Sequence, residues 1–532
     1  MKKVLISLGV IAAIAVAAFF IFRENKPKSL PIDADFAFYF DGKQLVDKSG
    51  ILADLNESQR KTLGTMLASE FDRTNDTEYI QSLVVDLNNT GLNLSLPMYA
   101  YSNVDIESES YEAVAVAAVH DINLVDRFTE FALDLYNSNE GTNMSVERDG
   151  DIRIIRIENS NTLIGYNDRL AVAVGKSNAE LDCRELLNSS LALAYADLSI
   201  FGERDMAMYI DYNRLIDIME YASKQESEYD IPEEFMAYCT KARETLGEDA
   251  AMVVGLSFLD GRVVIDGCAL GINTEASAYM GMTENANLRF LPDTLLAMLN
   301  LNIDGSKAVA LLREMPTDTL SETLGIDSNE FNAGFQIVCD AIDSIDGDVI
   351  LSLNNLEGKY NVNNVEALLM AEVKDNYILS NITMFAAPFF TRVDESNYTM
   401  RLGRNLSLYL GQDDTIFYAG VNDELAPELE SATSARWMDD VTGSNGYMII
   451  DIDNMASNNF INNALNEIKY EMSSDDAAIM YKIVDMSNYI YAKSYNNTNV
   501  ELVWVLDNSD ANALNQLYKA FVTPEMLQIL MQ

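Results

Sequence analysis

The chain repeats itself, and that duplication limits its folds more than any other feature. Residues 30–43 read LPIDADFAFYFDGK and residues 291–307 read LPDTLLAMLNLNIDGSK. Both give Leu-Pro, an apolar strand, then Asp-Gly and a basic residue that opens a helix. Four more matches follow in the same order. YEAVAVAAVHDINLVDRFTEF from Tyr111 matches VEALLMAEVKDNYILSNITMF from Val365, which places Glu112 on Glu366, His120 on Lys374 and Asp121 on Asp375. LIGYNDRLAVAVG from Leu163 matches LYLGQDDTIFYAG from Leu408, MYID at Met208 matches MIID at Met448, and VVIDGCAL at Val263 matches VELVWVL at Val500. The spacing between partners narrows slowly along the chain, as in two copies that have lost a few loop residues. Each half also echoes itself, since FAFYFDGKQLVDKSG at Phe36 resembles MAMYIDYNRLIDIME at Met206. The recurring unit is a strand ending in Asp, followed by a helix. A carboxylate at that junction accepts amides of the first helical turn, which is the expected role of Asp41, Asp211, Asp304 and Asp451.

Periodicity gives the elements of the first half. Residues 35–41 read as a strand. Residues 56–72 read as a helix, with Asn56 as cap and Gln59 completing a capping box. Tyr111–Val119 is a strand that leads into a helix from Asp121 to about Tyr136. Residues 152–175 form three short strands, with turns at Asn159–Asn161 and Asn167–Asp168, and Asp260-Gly261 marks a hairpin. Strands joined by short turns among helices predict an α+β fold built on mainly antiparallel sheets with packed helices. The expected organisation is a membrane segment over 1–29, a first half over 30–287 and a second half over 288–532. No Gly/Ser or Pro linker divides the halves.

Residues 4–22, VLISLGVIAAIAVAAFFIF, are uncharged, apolar or small, and follow Lys2 and Lys3. As a helix they span about 28 Å, close to one hydrocarbon core. A cleaved export signal has a shorter core and an A-x-A-like site, which Ala15 and Ala17 supply. The apolar run continues past that site through Phe22, and this favours an uncleaved anchor. Lys2 and Lys3 favour an inside N-terminus, whereas Arg23, Lys26 and Lys28 oppose it. The expected placement is an inner-membrane anchor with the body in the periplasm.

The formal net charge is −47, from 83 acidic against 36 basic residues. Such a field repels nucleic acid and anionic headgroups, which excludes DNA or RNA as partners. Hydrophobic residues make up 48%, enough for packed cores and against disorder. Cys183, Cys239, Cys268 and Cys339 show no C-x-x-C spacing, so they read as buried thiols rather than zinc ligands.

Motifs for catalysis are absent. The one histidine, His120, leaves no HExxH site and no two-histidine metal site, and its match to Lys374 marks a surface corner. There is no G-x-S-x-G, Walker A or G-x-G-x-x-G sequence. Ser58-Gln-Arg-Lys61 spells S-x-x-K, but it falls in the first turns of a helix and lacks companion motifs. The pairs Asp413-Asp414, Asp439-Asp440 and Asp475-Asp476 are common in so acidic a chain. Asp86-Leu-Asn88-Asn-Thr-Gly91 begins like a calcium loop but has Pro97 where the bidentate Glu belongs. Asp451, Asp453 and Asn454 fit capping better than metal binding. The reading therefore assigns no catalytic, cofactor-binding or metal residues and no cofactor. It expects a non-catalytic binding or scaffold protein whose partners are the membrane through residues 4–22 and envelope proteins or glycans. A glycan hydrolase using a carboxylate pair and a carrier of apolar cargo are the alternatives. The 26 tyrosines suit a glycan-binding face as well as ordinary strands.

The LP-x-DA-x-F stretch at residues 30–36, GLNLSLPMYAY from Gly91 and SIDGDVILSL from Ser344 resemble the Bacteroidota envelope proteins of domain of unknown function 4836. The resemblance covers nearly all of residues 30–532. It implies an exported envelope location and no activity. Many members resemble lipoproteins, and this chain departs from them in lacking a lipid-bearing cysteine near its N-terminus.

Overall fold

A computed structural model of the protein describes residues 34–521, apart from 52, 54, 71–73, 107, 109, 141–143, 158–160, 177–181, 189–197, 225–242, 244–249, 272–279, 293, 314–327, 359–361, 404–405, 414, 423–434, 472–473 and 496–497. The chain forms two compact units. The first comprises Pro27–Pro232, Glu248–Ile265 and Ser509–Gln532, and the second is chiefly Asp266–Asn508.

The strands from the N-terminus are β1 (Phe36–Phe40), β2 (Met98–Asp105), β3 (Ser110–Ala118), β4 (Glu147–Asp149), β5 (Ile152–Arg156), β6 (Thr162–Tyr166), β7 (Leu170–Lys176), β8 (Met206–Asp211), β9 (Ala251–Leu259) and β10 (Arg262–Leu270). They neighbour one another in the order β4-β5-β6-β7-β3-β2-β1-β8-β9, all antiparallel, and β10 follows β9 through the Gly261 turn. Next come β11 (Ala297–Asp304), β12 (Ile345–Gly358), β13 (Val362–Val373), β14 (Thr391–Arg392), β15 (Asn397–Arg401), β16 (Ser407–Asp413), β17 (Ile416–Val421), β18 (Gly446–Asp451), β19 (Ser487–Tyr495) and β20 (Asn499–Leu506). Their order is β14-β15-β16-β17-β13-β12-β11-β18-β19-β20, the same sequence of neighbours strand for strand.

Register repeats along with order. Phe38 pairs with Ala100 on one side and Met208 on the other; its counterpart Leu299 pairs with Leu351 and Met448. Ala115 lies between Ala100 and Ala173, as Leu369 lies between Leu351 and Ala419. The echo within each half is a pair of neighbouring strands, β1 beside β8 and β11 beside β18.

Local chemistry explains where helices start. Oδ1 of Asp41, Asp211, Asp304 and Asp451 accepts the amide of the third residue onward, Gln44 (2.9 Å), Arg214 (3.1 Å), Lys307 (3.1 Å) and Asn454 (2.9 Å). Each satisfies a donor that the first helical turn leaves free. Asn56 and Gln59 form the reciprocal capping box, at 3.0 and 2.9 Å, that opens the helix Glu57–Glu70. Asp121 and Asp375 accept the amides of Asn123 and Tyr377 at equivalent corners.

In the first unit Val114, Val116, Leu163, Leu170, Val172 and Val174 pack with the buried Cys183 and Leu187. Tyr166 and Ile155 point the other way, onto Val119 and Val125 beside the helix Ile122–Glu140. Gly165 is where this packing is tightest: a Cβ there would lie 2.3 Å from Cys183 Sγ. Cys339 is also buried and Cys268 half-buried, whereas Cys239 lies outside the described residues.

The two faces of the second sheet differ. Met298, Ile350, Leu368, Ile449 and Val503 are buried on one face. One residue along, Leu369, Leu351, Leu299, Met448, Ala492 and Leu502 form a single row across six strands on the other. Leu351 in that row is 52% exposed and Leu502 is 41% exposed. The expected membrane segment, residues 4–22, lies outside the described residues. Among the described residues no helix is long and apolar enough to cross a membrane.

Gly165→Ala is expected to destabilise the protein by about 1–3 kcal/mol, the usual cost of an overpacked core. Adding Cys183→Ala should recover part of that loss, because it removes the sulfur the new methyl meets. Urea unfolding of the two single variants and the double variant tests this, and purely additive losses would contradict the contact.

Candidate functional site

A cleft of about 480 Å³ opens in the first unit at one end of β1, β2, β3, β7 and β8. Asp35 precedes β1, Asn103 and Asp105 end β2, Tyr111 and Glu112 begin β3, Lys176 ends β7, and Asp211 ends β8. Arg214 comes from the first turn of the helix Tyr212–Lys224.

One wall is organised by Arg214. Its Nε donates to Asp35 Oδ1 at 3.0 Å, Nη1 donates to Asp217 Oδ2 at 3.2 Å, and Nη2 donates to the Val104 carbonyl. The other oxygen of Asp35 accepts the Val104 amide at 2.7 Å. The Asp35 backbone continues the wall, since its carbonyl accepts the Asp211 amide at 2.8 Å and its amide meets Asn103 Oδ1 at 3.2 Å. A charged fork thus ties the start of β1, the end of β2 and the helix after β8. Across the cleft Lys176 Nζ lies 3.7 Å from Glu112 Oε1, a cross-strand pair. Asp105 accepts Ser108 Oγ at 2.7 Å. Tyr111 is 46% exposed.

The second half replaces this chemistry. By register the positions of Asp35 and Arg214 fall on Leu296, which is buried, and Asn454, whose Nδ2 donates to the Leu295 carbonyl at 3.1 Å. In their place Arg436 bridges Asp451 and Asp453, both at 2.6 Å.

The second unit has a polar cluster of a different kind, centred on a buried carboxylate. Asp348 is 1% exposed. Its carboxylate accepts the amides of Glu284 (3.1 Å) and Asn285 (2.8 Å), and Nδ2 of Asn302 (2.9 Å). Tyr447 Oη donates to Asn285 Oδ1 at 2.7 Å. Glu372 accepts the Asp348 amide at 3.0 Å and Asn287 Nδ2 at 2.7 Å. Gly347, at φ 135°, leaves room for Glu372, because a Cβ there would lie 1.9 Å from its Oε2. Among the described residues, amide donors converge on these carboxylates, so the cluster clamps residues 284–287 to the sheet. Burial, with the charges of Asp348 and Glu284, pushes the Glu372 carboxyl above its ordinary value, against the hydrogen bonds that lower it.

The residues flagged by motif fall apart. Ser58 and Lys61 lie on an exposed helix, where Lys61 pairs with Glu57 at 2.6 Å. His120 is exposed at its corner, as is Lys374. Asp86 Oδ1 accepts the Asn88 amide at 2.9 Å in a short helical turn, Leu87–Thr90. Asp440 accepts the Tyr489 hydroxyl at 2.5 Å. Asp413 ends β16, Asp414 lies outside the described residues, and Asp475 and Asp476 lie in the helix Ser474–Met486. Among the described residues no three His, Cys, Asp or Glu side chains group as a metal site. The motif search passed over Asp35 and Arg214. The available signal was charge that the duplication does not repeat.

Two outcomes follow. Because the folded Glu372 carboxyl sits above 4.5, its stabilising contribution is complete below that value and declines as pH rises through the raised one. The stability margin of the wild type over Glu372→Gln should therefore shrink between pH 4 and 8 in denaturant titrations; a margin that grows would reverse the assignment. Arg214→Ala should cost about 2 kcal/mol, since it strips a charged partner from a mostly buried carboxylate. His120→Ala should stay within about 0.5 kcal/mol. Equal losses in those two variants would remove the special status of the Arg214 fork.

Neither a curated protein nor a solved structure matches the chain. A family model does, over residues 28–514, a span that takes in the cleft, the clamp and both runs of strands. The chain belongs to that family, Domain of unknown function (DUF4836).

Proposed function

We propose that the protein is a non-catalytic binding protein of the cell envelope, anchored in the inner membrane by residues 4–22 with its acidic body in the periplasm. The supporting observation is how the carboxylates of the cleft are used. Asp35 accepts on both oxygens, Asp211 caps a helix, Asp105 holds Ser108 and Glu112 faces Lys176. A glycosidase needs one carboxylic acid and one free carboxylate poised across a bond. Groups already committed to holding the wall suit recognition better than proton transfer. Long domains translocate largely regardless of their charge, so −47 is no barrier to export.

A second reading, a carrier of apolar cargo, draws on the exposed row of Leu351, Leu299 and Met448. Contiguous exposed apolar side chains favour apolar contact. Envelope proteins and glycans are the partners the first reading calls for.

The mature chain should keep its N-terminal residues by intact mass, remain with the membrane fraction and be degraded by protease added to spheroplasts. A chain beginning near residue 18 would eliminate the anchor. A protected body would put the protein on the cytoplasmic side.

A further inference from the structure

We propose that the cleft between Arg214 and Tyr111 binds a neutral saccharide; this deepens the binding-protein reading and rests on it. The wall is rich in acceptors, and its charged donors face inward to their own partners. Arg214 is spent on Asp35, Asp217 and Val104, and Lys176 lies against Glu112. Carboxylate and amide oxygens carry several lone pairs each, so Glu112 and Asn103 retain acceptor capacity after these bonds. The matching ligand brings many hydrogen-bond donors and no charge for the wall to balance. Hydroxyl groups on a ring meet that description.

Charge narrows the choice. Asp35, Asp105, Glu112 and Asp211 outnumber Lys176 and Arg214 in the lining, and the chain carries −47, so anionic ligands are repelled. A cationic ligand would have to compete with Arg214 for Asp35 and with Lys176 for Glu112, while Asp211 caps a helix and Asp105 holds Ser108. The remaining surface is Tyr111, an amphipathic ring at 46% exposure that offers an apolar face to the C–H side of a pyranose. The volume of about 480 Å³ is within the range of small-molecule sites, about 300–1,000 Å³. The second half, with Leu296 and Asn454 at the corresponding positions, lacks the fork and is not assigned this ligand.

The test uses the full chain in detergent against an array of defined neutral and acidic oligosaccharides and spermidine, followed by calorimetric titration of any neutral sugar retained. Tyr111→Ala and Tyr111→Phe are compared after thermal unfolding has shown both to be folded. A neutral sugar bound and recovered intact, weakened about tenfold or more by Tyr111→Ala and less than about threefold by Tyr111→Phe, would support the proposal. Binding of no sugar, of spermidine alone, of acidic sugars alone, or sugar binding indifferent to Tyr111→Ala would overturn it while leaving the binding-protein reading standing. A sugar bound through Tyr111 but released as shorter products would keep the ligand class and overturn the non-catalytic reading.

Discussion

The architecture depends on an aspartate at the end of a strand. β1, β8, β11 and β18 are interior strands, paired on both sides, and each leads into a helix whose first turn is capped by Asp41, Asp211, Asp304 or Asp451. The cap fixes where the strand stops and satisfies an amide that would otherwise need water. Such a bond contributes about 1 kcal/mol, little by itself. Its consequence is positional. β1 and β8 pair with one another, as do β11 and β18, so the hairpins that widen each sheet grow from a core whose strand ends are already set.

On that common frame the two halves have chosen different buried charges. In the first unit Asp205 is fully buried, takes Lys48 Nζ at 2.7 Å and accepts the Phe258 amide at 2.7 Å. In the second, Asp348 takes backbone and side-chain amides and, among the described residues, pairs with no cation. Both anchors tie distant segments to the sheet, and both follow the rule that a buried charge must be hydrogen-bonded. One uses a salt bridge and the other neutral donors. Removing either carboxylate would therefore orphan a different set of groups, which is why the frame can be shared while its interior chemistry is not.

That both halves repeat one arrangement of strands was legible in the sequence, because the pattern of apolar alternation and turns is duplicated in order. The capping box at Asn56 and Gln59 and the turns near Asn167 and Gly261 were legible because their chemistry is local. Register was legible only to within a residue or two. The ladder sets Phe36 against Ala297, yet β11 runs on to Asp304, so the capping Asp304 stands two places beyond the ladder partner of Asp41. Likewise the ladder sets Gly165 against Gly411, one place from the alignment that starts at Leu163 and Leu408. The site was not legible, because Asp35 and Arg214 are separated by 179 positions and meet only through β1–β8 pairing. Nothing local distinguishes Asp35 among 83 acids. What distinguishes it is Leu296 at the matching place in the other half.

Comparison of the halves also separates their open faces. The first row reads Ala173, Ala115, Ala100, Phe38, Met208, Val254; the second reads Ala419, Leu369, Leu351, Leu299, Met448, Ala492. Two alanines of the first row are leucines in the second. Exposed leucine costs a soluble surface more than alanine does, by roughly 25 cal/mol for each Å² left in water. Leu369 packs beside the core of Ala371, Leu410 and Phe417, whereas Leu351 stays 52% exposed. The charged fork stands in the first half, and Leu296 and Asn454 occupy the matching places in the second. The charged cleft and the leucine-bearing row thus fall on different copies of one fold, and a substitution on one copy is best interpreted beside its ladder partner on the other.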